Sequence, residues 1–129
     1  MKKIIADTNF LMMPFEHGVD SVGGLLRLIN GPITLLLPSG VVSELRTLSG
    51  RRGRRAQAAR SALASIGNLR AHFRVEEVES EGAVDEWIIK YAGKNKIPVA
   101  TNDVVLRGRL RALGVPVVAM LSKAKLDFA

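Results

Sequence analysis

The chain has no cysteine among its 129 residues. That excludes a disulfide framework and any thiolate-held zinc site. It suits a reducing cytoplasm and is also compatible with export. Long apolar runs are missing as well. No stretch approaches the roughly 18–20 residues that a spanning helix needs, and Asp7 interrupts the short apolar stretch that follows Lys2 and Lys3, unlike a secretory leader. A soluble, cytoplasmic protein with no membrane partner is expected. The histidines, His17 and His72, follow no metal-ligand spacing. There is no internal repeat, and GRRGRR at 50–55 is the one biased segment.

Apolar residues make up 47% of the sequence, enough for a buried core at this length. One domain over residues 1–129 is expected. The formal charge is +7, and its distribution carries more information than its sum. From Arg51 to Arg74 there are seven arginines and no acid. From Val75 to Asp103 there are seven acids against three lysines, and from Val104 onward five basic residues and one acid. Basic segments flanking an acidic one point to a polyanionic partner such as nucleic acid. A solvated face that aids solubility explains the same charges.

KKIIAD (2–7), PITLLLP (32–38), IPVATND (97–103) and VPVVAML (115–121) are short apolar runs, as in a parallel sheet covered on both faces. HFRVEEV (72–78) alternates and predicts an edge or half-buried strand. Helical patterns lie between them. VDSVGGLLRLIN (19–30) has a stripe of Val19, Val22, Leu25, Leu26 and Ile29. SGVVSELRTLSG (39–50) offers Ser39 as an N-cap. RRAQAARSALASIGNL (54–69), AVDEWIIKYAGKN (83–95) and VVLRGRLRALG (104–114) complete the set. Strands alternating with helices predict an α/β domain with a mainly parallel sheet. Ligand sites in such sheets lie outside the carboxyl ends of the strands.

Four acids fall at that edge. Asp7 ends the first strand and Asp103 the fourth; Glu44 lies one turn into the helix after TLLLP, and Asp85 opens the helix leading to IPVATND. Each also has a purely structural explanation. Asp7 and Asp103 suit helix N-caps, Asp85 suits a first turn, and Glu44 suits an exposed surface. Together they are harder to dismiss, because clustered carboxylates raise one another's pKa and a divalent cation among them relieves the repulsion. Oxygen donors without thiols suit Mg²⁺ or Mn²⁺ rather than zinc. Such an ion lowers the pKa of bound water and neutralises charge on a phosphate, which is the chemistry of phosphodiester hydrolysis.

IIADTNFLM (4–12), VVSEL (41–45), VDEWIIKYA (84–92) and VATNDVVLRGRL (99–110) resemble, in order, the four motifs of the PIN-domain nucleases. The first and last motifs are the more specific. The resemblance implies a three-layer α/β/α sandwich with a central five-stranded parallel sheet. It also implies that Asp7, Glu44, Asp85 and Asp103 are the catalytic, metal-binding residues for Mg²⁺ or Mn²⁺. Thr101 matches the hydroxyl residue that shapes the site, and Asn9 the small polar residue that orients Asp7 by hydrogen bonding. Ordinary turn chemistry of Asn and Thr is the alternative for both. Many members carry a further acid where this chain has Val105, which leaves a second metal site poorer in ligands.

The implied activity is metal-dependent endoribonuclease cleavage of single-stranded or structured RNA. DTNFLMMPFEHGVD is most similar to the archaeal ribosomal-RNA-processing branch. Two alternatives stand beside it: a toxin-type ribonuclease of a toxin–antitoxin pair, and a non-catalytic RNA-binding ribosome assembly factor. An assembly factor or an antitoxin is the corresponding protein partner. A receiver-type module using Lys123 fits the placement of Asp7 and Asp103 poorly. Arg51, Arg52, Arg54, Arg55, Arg107 and Arg111 are the candidate RNA-binding residues, with a solvated surface as their alternative. Trp87 and Tyr91 suit core packing better than base stacking. The apolar bulk of FLMMPF (10–15) needs covering, by the core or by a second copy in a homodimer.

Overall fold

The computed structural model describes residues 2–122 and 125–129, so Lys123 lies outside the described residues. The chain runs β1 (Lys2–Ala6), α1 (Thr8–His17), α2 (Ser21–Leu28), β2 (Ile33–Pro38), α3 (Ser39–Ser49), α4 (Arg54–Leu69), β3 (Arg74–Val78), α5 (Val84–Asn95), β4 (Val99–Ala100), α6 (Val104–Ala112), β5 (Val117–Ser122) and β6 (Lys125–Phe128). The sheet has six strands in the order β3-β2-β1-β4-β5-β6 and is flanked by helices. β1 to β5 are parallel, and β6 runs antiparallel to β5.

The apolar runs become strands because only covered positions suit them. All six residues of β2 are buried, as are Ile4, Ile5 and Ala6 of β1. β3, with its alternating pattern, takes the edge next to β2. Helix α1 buries Phe10, Leu11, Met12 and Met13 within the chain itself. The core therefore covers most of the bulk that suggested a second copy, leaving Phe15 exposed. Trp87 and Tyr91 stack on each other, with ring centroids 4.6 Å apart, and pack partly buried against the core.

Three expectations are corrected. The sheet has a sixth strand beyond the five parallel ones, because Leu126 of the charged KLDF segment packs against α2. Gly24 permits this approach: a Cβ there would lie 3.0 Å from Leu126 Cβ. Within VDSVGGLLRLIN, Leu26 is exposed rather than part of the buried stripe. Ser39 is the first residue of α3, not its cap, which is Pro38. Proline offers no side-chain acceptor, and the job passes to Ser80. Its hydroxyl accepts the Gly40 N–H at 2.8 Å, while the Ser80 N–H donates to Ser39 Oγ at 2.9 Å. This clasp ties the start of α3 to the segment ahead of α5.

The strand order places a switch point between β1 and β4. After β1 the chain builds outward through β2 to β3, then crosses to the other side of β1 for β4 and β5. At such a point the loops leaving two neighbouring strands part in opposite directions and open a crevice at the carboxyl edge.

The Ser80 clasp is testable by urea denaturation. Ser80→Ala should cost about 1 kcal/mol, the usual value of a lost cap. Gly40→Ala should also destabilise, because its Cβ would fall 2.8 Å from both Ser80 Oγ and Val84 Cγ2. In an open helix the same change stabilises by roughly 0.5–1 kcal/mol, so a gain at Gly40 would contradict the clasp.

Candidate functional site

The site begins with the pairing of β1 and β4, where Ala6 stands opposite Ala100. The ladder runs one step further, with the Asp7 N–H donating to the Ala100 carbonyl at 3.1 Å and the Thr101 N–H to the Val118 carbonyl at 3.0 Å. Asp7 and Thr101 therefore leave adjacent strands side by side. The Thr101 hydroxyl donates to Asp7 Oδ2 at 2.7 Å and accepts the Asp103 N–H at 3.1 Å. A hydroxyl has one proton to give, so this geometry commits it to Asp7. Asn102 holds the same loop from the other side, its Oδ1 accepting the Met120 N–H at 3.2 Å.

Asp103 is the N-cap of α6. Its Oδ1 accepts from the Val105 and Leu106 amides at 2.9 and 3.1 Å. Both cap bonds fall on one oxygen, so capping leaves the other carboxylate oxygen available. Asp7 occupies the same position at the start of α1 but makes no side-chain cap bond. Asp85 lies in the first turn of α5 and Glu44 on the exposed side of α3.

One cleft of about 380 Å³ gathers these residues: Asp7, Asn9, Glu44, Asp85 and Asp103 line it, with Ala83, Val84 and Arg55. Four acids from four separate elements thus face one space. Asp7 is 3% exposed, and burial pushes its carboxyl up to about 6, with Asp85 and Glu44 adding to the rise and the Thr101 hydroxyl opposing it. Asp85 is also raised, first by burial, then by Asp103 and Glu44, with Arg109 acting against them. Among the described residues, four carboxylates and a single guanidinium line the cleft.

That charge, with oxygen donors alone, fits a hard divalent cation. As the side chains stand, no group of three or more acids or histidines is arranged to hold a metal ion among the described residues. The donor chemistry fits such an ion; a closed ligand cage is not formed.

The remaining candidates divide. Among the described residues no hydrogen bond joins Asn9 to Asp7; Thr101 makes that bond because it stands directly across the ladder. Asn9 lines the cleft instead. Arg55 also lines the cleft, and Arg54 lies beside it on α4, lining a neighbouring one. Arg51 and Arg52 are exposed in the turn before α4 and line neither cleft. Arg107 and Arg111 on α6 do not line the acid cleft, and Val105 is exposed at 73%. Sequence reasoning missed the pair between Arg109 and Glu86, whose two nitrogen–oxygen contacts are 2.5 and 3.1 Å. It joins α6 to α5, the helices that carry Asp103 and Asp85. Nothing in the spacing of these residues signals it, since the register between two helices is set by packing.

A family model described as a PIN-like domain matches residues 4–123. The chain is 33% identical over 127 residues to Ribonuclease VapC4 of Methanocaldococcus jannaschii, spanning 95% of this chain and 93% of that relative. It is 37% identical over 114 residues to Ribonuclease VapC9 of Archaeoglobus fulgidus, spanning 88% and 78%. Among solved structures, the PIN domain endonuclease Utp24 superposes with a TM-score of 0.76 at 24% identity, covering 98% of this chain and 90% of that one. A domain of a functionally unknown protein from Methanocaldococcus jannaschii gives 0.72 at 20% identity, covering 95% and 93%. The two structural likenesses show a shared fold.

The raised Asp7 carboxyl has a consequence for stability. Its folded pKa of about 6 exceeds the ordinary aspartate value of 3.8, so the folded chain binds the proton more tightly than the unfolded one. The stability it contributes is complete below about 4 and is lost as pH rises through about 6. Asp7→Asn keeps an acceptor for Thr101 and removes the charge. In metal-free urea titrations it should be more stable than the wild type by on the order of 2–3 kcal/mol at pH about 8, with the gap closing towards pH about 4. Equal stabilities at both values would contradict this account.

Proposed function

The chain belongs to the PIN-like domain family, and from that premise we propose that it is a divalent-metal-dependent endoribonuclease. The observation that carries the proposal is the convergence of Asp7, Glu44, Asp85 and Asp103 on one cleft at the sheet's switch point. The two relatives named as ribonucleases, matched over most of their lengths, support the choice of RNA as substrate.

In this reading Asp7, Glu44, Asp85 and Asp103 would hold Mg²⁺ or Mn²⁺. The bound ion supplies a lowered pKa for water and neutralises charge on the phosphate under attack. The protein's own part is positional. Thr101 fixes Asp7 and the Asp103 backbone with one hydroxyl. The cap bonds hold Asp103 by one oxygen and keep its charge at the rim. The exposed bridge from Arg109 to Glu86 spans α5 and α6, the helices that carry two of the acids and whose register is set by their packing. Arg55, the one basic side chain lining the cleft among the described residues, would meet a phosphate oxygen.

Both curated relatives carry the VapC name. This favours the toxin-type alternative, with an antitoxin as partner, over the ribosomal-RNA-processing branch to which the N-terminal motif is similar. The likeness to Utp24 bears on the fold alone.

The decisive experiment incubates the pure protein with single-stranded and structured RNAs in Mn²⁺, Mg²⁺ or chelator. Cleavage in the metals and none in chelator is expected. Asp7→Asn and Asp103→Asn should each lose at least a hundredfold in rate while remaining folded, since asparagine at 7 still offers Thr101 an acceptor and asparagine at 103 caps α6 as well as aspartate does. Thr101→Val, which removes only the positioning bond, should cost about 10–100-fold, the usual effect of losing a ligand's supporting contact. Full activity in the two aspartate variants would overturn the assignment. RNA binding without cleavage in any metal would favour the assembly-factor alternative.

A further inference from the structure

Arg55 lines two clefts. One is the acid cleft; the other, of about 640 Å³, lies between the end of α1 and the start of α4. The second cleft is larger and different in character. Phe15, exposed at 44%, and His17 present rings to it, Arg54 and Arg55 bring positive charge, and Gln57 adds an amide. Glu16, the partner of Arg55, also lines it, and none of the four clustered acids does.

We infer that this second cleft is a nucleotide subsite, holding one unpaired nucleotide of an RNA strand next to the phosphate that lies over the acid cleft. The inference rests on the ribonuclease reading. Three observations carry it. First, the clefts share Arg55, so a strand crossing one side chain enters both. Second, the recognition chemistry is that of single strands: a π-face for the base, guanidinium groups for the backbone, and an amide that can both give and accept hydrogen bonds at a base edge. Third, Arg55 is only lightly held. Its contact with Glu16 is 3.3 Å long and its side chain is 54% exposed. An exposed pair of this kind contributes little to stability, and a guanidinium has donors to spare beyond it. A phosphate can therefore engage Arg55 while Glu16 keeps it aimed between the clefts.

Duplex RNA cannot use such a subsite, because its bases are stacked and paired. The inferred ligand is thus single-stranded, and its recognition is tolerant of base identity where it relies on stacking. Preference among bases falls to Gln57.

The test walks an abasic residue along a short single-stranded RNA and measures binding to the wild-type protein in chelator, where no cleavage interferes. At one position, loss of the base should weaken binding about tenfold, within the range for a single aromatic–base stack. Phe15→Leu, which keeps apolar bulk without a ring, should weaken the intact RNA by a similar factor and leave the abasic RNA at that position unchanged. His17→Ala, a second exposed change, should show the same pattern to a smaller degree. With Mn²⁺, both variants should raise KM with little effect on kcat. A flat abasic walk, or variants that bind and cut every RNA as the wild type does, would overturn the subsite and leave the cleft to a protein partner. The two readings fail separately. A wild type that cuts no RNA in any divalent ion defeats the nuclease assignment, whereas the binding walk in chelator still decides the subsite.

Discussion

One hydroxyl between two aspartates organises the upper edge of this molecule. Thr101 can donate to Asp7 and accept from the Asp103 backbone only because β1 and β4 are neighbours with Ala6 opposite Ala100. A slip of one residue in that pairing would turn Thr101 to the opposite face of the sheet. The strand order enforces the pairing: β1 is central, and β4 returns to its free side after the excursion through β2 and β3. Residues from opposite ends of the sequence meet there because the sheet leaves them no other arrangement.

The electrostatics follow from the same constraint. The chain is basic overall, yet the switch point concentrates carboxylates, and the nearest cations are mostly engaged elsewhere. Arg109 is bound to Glu86, which holds that carboxyl below its usual range, and its influence on Asp85 is outweighed by burial, Asp103 and Glu44. Arg55 leans on Glu16 at the cleft's border. The acids keep an unmet demand for positive charge in a chain that is basic overall. In the proposed function that division separates two tasks: the arginines attract the RNA backbone, and the acids wait for the ion.

Much of this was legible in the residues. Continuous apolar runs give buried strands and alternating ones give edges, so β2 and β3 were readable as such, and the acids at the ends of the runs were readable as rim residues. Helix α4 was readable to its exact bounds because its alanines and arginines have a high intrinsic preference for helix. What stayed hidden depends on contacts between distant segments. Ser39 has the composition of a cap, but the preceding proline takes the position, and the acceptor comes from Ser80. β6 is short and charged, and becomes a strand only because Leu126 finds α2 beneath it. Asn9 follows Asp7 closely in sequence, yet Thr101 reaches Asp7 first because the ladder sets it opposite. Local pattern identifies elements; the partner of a polar side chain is decided by which elements become neighbours.

Asp7 and Asp103 occupy matching places, each following a strand and preceding a helix, but the fold treats them differently. Asp103 is half-buried and uses one oxygen to cap α6, so its charge is stabilised whether or not anything is bound. Asp7 is buried, caps nothing and relies chiefly on a single hydroxyl. A carboxylate in that setting is a destabilising element in the free protein. It remains tolerable because the surrounding core is extensive, with β1, β2 and α1 all closely packed beneath it. The same burial would make Asp7 the acid that gains most from a cation, since an opposite charge acts most strongly where water is excluded. The difference in environment therefore sets apart two residues that look alike in sequence: Asp103 caps α6 at the rim of the cleft, and in the proposed function Asp7 would set how strongly the site calls for a cation.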